Sequence, residues 1–239
     1  MTMQPLTDDD MRRYARHLSL PGFGEEGQLR LKNGSVLVIG AGGLGSPVAL
    51  YLAAAGIGRI GIADGDRVDI TNLQRQVIHH TADIGRPKAL SAAEKMLAVN
   101  PALNVDVIDS FVSAETLPQL IAGYDFVIDA TDSLAIKFLV DDVCTAAAKP
   151  YSHGAIWRYE GQTMTVLPGS VTYRQLFPDQ PAAADGTAAG GPLGIVPGIL
   201  GTIQAAEAIK YIAGVGQLLT DRLLRFNALT MRFSEIRLR

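Results

Sequence analysis

The chain reads as an α/β protein built on a doubly wound, mostly parallel sheet, and three features of its 239 residues predict this. Apolar β-branched runs such as Ser35–Ile39 alternate with helical segments, as buried parallel strands joined by right-handed crossovers do. A glycine-rich turn, Gly40-Ala41-Gly42-Gly43-Leu44-Gly45, joins a strand to a helix. Acidic residues, Asp64 and Asp132, fall near the ends of later strands, the edge at which open α/β sheets bind ligands.

The elements follow in order. Thr7, three aspartates and then Met11, Tyr14 and Leu18 predict a capped amphipathic helix whose acidic first turn suits the helix dipole. A glycine loop leads to a short helix over 28–32, stopped at Asn33-Gly34. The strand over 35–40 and the glycine turn open a helix over 46–56, and a second strand ends at Asp64. A polar connection (65–87), a helix over Lys88–Val99 and a strand at 105–108 continue the alternation. So do a helix near 114–121, a strand over 125–132, a helix over 134–148 and a strand near 151–153. A strand near 162–167 leads into 168–197, rich in Pro, Ala and Gly and longer than an ordinary connection, as functional lids are. A helix over 198–213 and two strands, 223–227 and 231–238, expected to be antiparallel, finish the chain. There are no internal repeats and no second core-sized segment. One domain is therefore expected over 1–239: a helical arm (7–33), a nucleotide-binding core (35–167), a flexible crossover loop (168–197) and a C-terminal helix with strands (198–239).

Composition narrows the function classes. The chain is 48% apolar and 19% charged, with a formal charge of −3, which gives no basis for gripping a phosphate backbone. No apolar run approaches the ~20 residues that cross a bilayer, and the acidic N-terminus does not resemble a signal peptide. A single cysteine, Cys144, excludes an intrachain disulfide. The expectation is a cytoplasmic protein that binds neither nucleic acid nor membrane.

In the glycine turn, Gly40, Gly42 and Gly43 let the backbone approach a phosphate, and the helix start offers free N–H groups. Asp64, at the end of the next strand, is placed to hold ribose hydroxyls. Together these indicate an adenine nucleotide without choosing between NAD and ATP. Glycines that serve only strand–helix packing are the alternative. The residues that follow favour ATP over hydride transfer. Asp66, Asn72, Arg75 and Gln76 cluster beyond Asp64, and Lys88 opens a helix after Gly85-Arg86-Pro87. Cleavage between the α- and β-phosphates needs such cationic donors for the departing pyrophosphate. Asp132 is a natural Mg²⁺ ligand beside a polyphosphate. Singly, Arg75 and Lys88 also read as surface charges, and Asp132 as a helix N-cap.

The ordered series RYARH, GAGGLGSP, DGDRVDITNLQRQ, IGRPKA, DATDS and GILGTIQAAEAIK resembles the ThiF/MoeB/HesA family, relatives of the ubiquitin-activating enzymes. The resemblance runs from about Met11 to the C-terminus, and NLQRQ followed by RPKA is its most specific part. It implies a Rossmann-like adenylyltransferase that uses ATP and Mg²⁺ to activate the C-terminal Gly-Gly carboxylate of a ubiquitin-like sulfur-carrier protein. It also implies a homodimer. Carried over by residue, Gly43 would pack under the phosphates and Asp64 would hold the ribose. Asn72, Arg75 and Lys88 would contact the triphosphate, Asp132 would bind Mg²⁺, and Arg16 would reach the partner subunit's ATP. Arg16, Arg75, Lys88 and Asp132 are thus the candidate catalytic residues.

The chain departs from the family in its cysteines. Sulfur-transfer members carry two CxxC pairs that bind zinc; the first would fall where this chain has Thr172 and Gln175, and the second beyond Arg239. A cysteine often found in the crossover loop is absent near Thr187. No zinc site and no loop thioester are therefore expected. Cys144 reads as a buried inert thiol, and His79-His80 does not read as a metal pair, because adjacent residues on a helix point to different sides. Trp157 and Tyr159, beside Arg158, suit either a substrate groove or the core. Two other functions stay open: adenylylation of a small-molecule carboxylate, and a noncatalytic nucleotide-binding module.

Overall fold

The computed structural model describes residues 3–178 and 191–239. Eight strands form one sheet, and the chain-order elements begin with a helical arm. Helices α1 (Asp8–Arg13), α2 (Ala15–Leu18) and α3 (Gly24–Asn33) precede β1 (Ser35–Ile39). The arm starts on the expected cap: the Thr7 hydroxyl accepts from Asp10 N–H and the Asp10 carboxylate accepts from Thr7 N–H. Then come α4 (Gly45–Ala55), β2 (Arg59–Ala63), two 3₁₀ turns (Ile70–Asn72, Thr81–Asp83), α5 (Lys88–Val99) and β3 (Asn104–Ile108). After α6 (Leu117–Ala122), β4 (Phe126–Asp129), α7 (Leu134–Ala146), β5 (Tyr151–Trp157) and β6 (Glu160–Val166) follow α8 (Tyr173–Leu176), α9 (Ile195–Ala213), β7 (Arg222–Asn227) and β8 (Arg232–Arg237).

The sheet order is β3-β2-β1-β4-β5-β6-β7-β8. Strands β3, β2, β1, β4 and β5 pair in parallel, and β5 through β8 pair antiparallel, as expected for the C-terminal strands. The sheet has a core on each face because β1 is apolar on both sides. Val36 and Val38 join Val48, Leu52, Ala92, Met96 and Leu200 of α4, α5 and α9. Leu37 and Ile39 join Leu117, Ile121, Val140 and Cys144 of α6 and α7. Strand alternation sends neighbouring residues to opposite layers.

The expected boundaries need five corrections. β4 stops at Asp129, so Asp132 lies in the following loop rather than in the strand. β5 runs on to Trp157 and turns tightly into β6, with Trp157 paired to Glu160. The stretch after β6 contains α8, and α9 begins at Ile195 with Pro197 in its first turn, where a missing N–H breaks no helical bond. The third helix spans ten residues from Gly24. The middle of the crossover loop, including Thr187 and the flexibility expected of it, lies outside the described residues.

Candidate nucleotide site

The order reverses between β1 and β4: the chain leaves β1 toward one face through α4 and β4 toward the other through α7. A crevice must open at the carboxyl ends of such strands. There lies a cavity of about 390 Å³, within the range of small-molecule sites. Gly40, Gly42, Gly43, Asp64, Asp66, Arg75, Gln76, Lys88 and Asp132 all line it.

The glycines divide into two sets. Gly40 has φ +101°, and a Cβ there would lie 2.7 Å from the Ala130 carbonyl oxygen. A Cβ on Gly45 would sit 1.9 Å from the Gly40 carbonyl oxygen. These two are required by the backbone's own packing. A Cβ on Gly42 would meet only the Gln76 side chain, at 3.4 Å, and one on Gly43 would touch Pro197 at 3.1 Å. Gly42 is therefore left bare by no packing need, on the cavity wall beside the N-terminus of α4, which among the described residues has no side-chain cap. That combination fits a phosphate.

Asp64 braces the turn, accepting Ala41 N–H at 2.7 Å on one oxygen and Asp66 N–H at 2.8 Å on the other. Each oxygen keeps a lone pair for a ribose hydroxyl. A residue not expected to matter supports the same turn. Buried His79 donates from Nε2 to the Ala41 carbonyl at 2.8 Å, so Nδ1 accepts from the Ser91 hydroxyl at 2.9 Å. Burial pulls the His79 pKa down, keeping the ring neutral. Both nitrogens are committed, and His80 is exposed, so the pair holds no metal between them.

Lys88 begins α5, its side chain 6% exposed and its Nζ 2.9 Å from Asp66. Asp66 also accepts Lys88 N–H through its backbone carbonyl, so it fixes the cation at the cavity edge. Arg75 reaches the cavity with its guanidinium donating to the Thr71 carbonyl at 3.2 Å. Asn72 does not line the cavity; its carbonyl accepts from both Arg75 N–H and Gln76 N–H, which shapes the turn that presents them.

Asp132 is exposed on the opposite wall. Ser133, not Asp132, caps α7, its hydroxyl accepting from Ile136 N–H at 3.5 Å. The capping alternative for Asp132 is thus taken by its neighbour. Trp157 is 52% exposed and lines the cavity mouth with Arg158, so it belongs to the groove and not to the core. Phe111, which follows β3 and lies over Gly65, also lines the cavity and escaped the sequence reading. Its place just beyond the carboxyl end of a parallel strand was the available signal.

Arg16 stands apart. Tyr14 is buried over Gly56 and accepts from Asn100 at 2.9 Å, while His17 bonds Gln28 at 2.9 Å. With its flanking residues anchored, Arg16 projects from the exposed surface and does not line its own chain's cavity.

Behind Asp132 lies a buried polar cluster. The Asp129 carboxylate accepts from the Thr131 hydroxyl at 2.7 Å and from Thr131 N–H at 3.1 Å. It also takes Lys137 Nζ at 3.2 Å and His153 Nδ1 at 3.0 Å. Burial pushes the Asp129 pKa up, but Lys137, His153 and Thr131 outweigh it and hold it at about 2. Burial lowers that of His153.

Thr172 and Gln175 form a reciprocal capping box at the start of α8. Cys144 is fully buried, its pKa raised to about 12 chiefly by that burial, and its thiol is inert. Among the described residues no group of three or more His, Cys, Asp or Glu is arranged to hold a metal. No helix among them is long and apolar enough to cross a membrane.

The pattern of the ThiF family matches residues 14–239, nearly the whole chain. The chain belongs to the ThiF family. Its relatives include the probable adenylyltransferase/sulfurtransferase MoeZ of Mycobacterium tuberculosis, 45% identical over 98% of this chain and 62% of MoeZ. The adenylyltransferase and sulfurtransferase MOCS3-1 of Zea mays is 46% identical over 98% of this chain and 51% of its own length. The sulfur carrier protein adenylyltransferase of Thermus thermophilus is 40% identical over 98% of this chain and 89% of its own length. The chain therefore spans only about half to three-fifths of the first two. Among solved structures, PaaA superposes with a TM-score of 0.84 at 23% identity, covering 100% of this chain and 76% of PaaA. E. coli MccB gives 0.86 at 21% identity, covering 98% and 71%. At that identity both establish the Rossmann-like fold alone.

Proposed function

We propose that this ThiF-family chain is an adenylyltransferase that joins AMP from ATP to the C-terminal Gly-Gly carboxylate of a ubiquitin-like sulfur-carrier protein. The observation that carries this is one cavity bringing together an uncapped helix start, a ribose-type acid, two cations and a lone exposed carboxylate. A dehydrogenase has no use for the two cations or the exposed carboxylate.

The residues fit ATP and a divalent ion. Gly42 and Gly43 with the α4 N-terminus seat the phosphates, and Asp64 takes the ribose. Lys88 and Arg75, with Gln76 beside them and Asn72 shaping their turn, neutralise charge on the leaving pyrophosphate. On this reading Lys88 leaves Asp66 for the phosphate. Mg²⁺, held by Asp132, would screen the triphosphate against an incoming anion; one protein carboxylate plus phosphate oxygens is an ordinary Mg²⁺ ligand set. The carrier carboxylate enters past Trp157, attacks the α-phosphorus and forms a P–O bond as the bond to pyrophosphate breaks. No side chain need act as a nucleophile, so catalysis is alignment and charge stabilisation. Arg16, exposed and absent from its own cavity, would serve the partner's ATP in a homodimer. The reaction would take place in the cytoplasm, within a single adenylation domain.

With Thr172 and Gln175 engaged in a cap and Cys144 buried, the described residues offer no reactive thiol, so sulfur would come from an external donor. The same observation favours a second reading, adenylylation of a small carboxylate that needs no sulfur relay. ATP–pyrophosphate exchange with Mg²⁺ separates the two: tailed carriers should stimulate it and carriers lacking Gly-Gly should not. Stimulation by a carboxylic metabolite instead would establish the second reading. ATP binding with no exchange under any condition would leave only a nucleotide-binding module.

A further inference from the structure

Among the described residues Asp132 has no side-chain partner, yet both of its neighbours are fixed. Ser133 caps α7, and Thr131 is bound through its N–H and its hydroxyl to one oxygen of Asp129, Oδ1. The other oxygen takes His153 from β5, and Lys137 from the first turn of α7 donates to both. Lys137 also donates to the Gly154 carbonyl, and Gln204 of α9 donates to the Asp129 carbonyl. Asp129 thus ties the loop after β4 to β5, α7 and α9. The loop also lies directly against the glycine turn, since a Cβ on Gly40 would strike the Ala130 carbonyl. A buried ion pair is a poor way to gain stability, because apolar residues of similar volume do as well. Asp129 and Lys137 are respectively 0% and 5% exposed, and their charges cancel, leaving Asp132 as the loop's net negative charge.

We propose that Asp129, supported by Lys137 and His153, is the positioning residue for Asp132, and that it sets the affinity of the nucleotide-bound site for its divalent cation by fixing the loop through Thr131. This rests on the reading of Asp132 as the metal ligand. Partners one shell out from a metal ligand typically change affinity about 10- to 100-fold. The test is Mn²⁺ binding to the ATP-bound protein, followed by electron paramagnetic resonance, alongside ATP binding without divalent ions. Asp129→Asn and Thr131→Val should each weaken Mn²⁺ about tenfold while metal-free ATP binding is unchanged, and Thr131→Ser, which restores the hydroxyl, should recover wild-type affinity. Should Asp129→Asn fail to fold, the Thr131 pair on its partly exposed loop decides the question. Wild-type Mn²⁺ affinity in the folded variants overturns the proposal, as does a parallel loss of metal-free ATP binding. Asp132→Ala is the control for the underlying reading: if it still binds Mn²⁺ normally, the metal assignment itself is rejected, and the positioning role with it.

Discussion

The two glycine sets make opposite predictions, which separates phosphate binding from packing. In Gly45→Ala the new methyl would lie 1.9 Å from the Gly40 carbonyl oxygen, so the turn must move. Overpacking costs about 1–3 kcal/mol, and a clash with backbone falls at the upper end. At roughly 2–4 °C per kcal/mol for a chain of this size, the melting temperature should drop by about 6–12 °C. In Gly42→Ala the methyl meets only Gln76 at 3.4 Å and otherwise faces the cavity. Reduced freedom of the unfolded chain favours the variant by about 0.4–1 kcal/mol, so its melting temperature should stay within ~4 °C of wild type. Its methyl occupies the close approach reserved for phosphate, and ATP should bind at least about tenfold more weakly, a loss of roughly 1.4 kcal/mol. Calorimetric unfolding and ATP titration of the two variants decide the matter. Wild-type ATP affinity in Gly42→Ala would refute phosphate seating on this turn; a melting temperature as low as that of Gly45→Ala would return Gly42 to the packing set.

Three further outcomes are expected. Mixing Arg16→Ala with Asp132→Ala subunits should restore exchange at one site of each mixed dimer, and no recovery would reject a shared site. His79 and His153 are both depressed by burial, so each stabilises the fold above the unfolded histidine pKa of 6.5 and loses that contribution as pH falls. Below pH 6.5 each should cost up to about 1.4 kcal/mol per pH unit until its folded pKa is reached, and a melting temperature flat from pH 7 to 5.5 would contradict this. Dialysis against a chelator should leave the melting temperature unchanged, whereas Thr172→Ala should cost about 1 kcal/mol through loss of the α8 cap; the reverse pattern would reveal a structural metal.

What could be read from the sequence depended on how local its physics was. The buried strands, the glycine turn and the start of α5 at Lys88 are stretches whose apolar period or breaker residues act within a few positions. The turn from β5 to β6 was not legible, because Arg158 takes φ +51° with no glycine or asparagine to announce it. α9 starts ahead of the predicted residue 198 because Pro197, which reads as a boundary, is tolerated in the first helical turn. α8 is legible in principle, since Thr172-x-x-Gln175 is a capping-box signature. The Asp129–Lys137–His153 cluster could not be seen, since three elements separate in sequence meet only in the folded sheet. The cavity residues are legible from their order along the chain, whereas His79 carries no motif and emerges only from the geometry, and Phe111 is signalled only by its place after β3.

The most direct measurement is mass spectrometry of a Gly-Gly-tailed carrier after incubation with the wild-type protein, ATP and Mg²⁺, with Lys88→Ala in parallel. One AMP attached at the terminal glycine carboxylate by the wild-type protein, and none by the variant, is the predicted result. A carrier that stays unmodified while ATP binds normally, or one modified equally by Lys88→Ala, would contradict adenylyl transfer at this cavity.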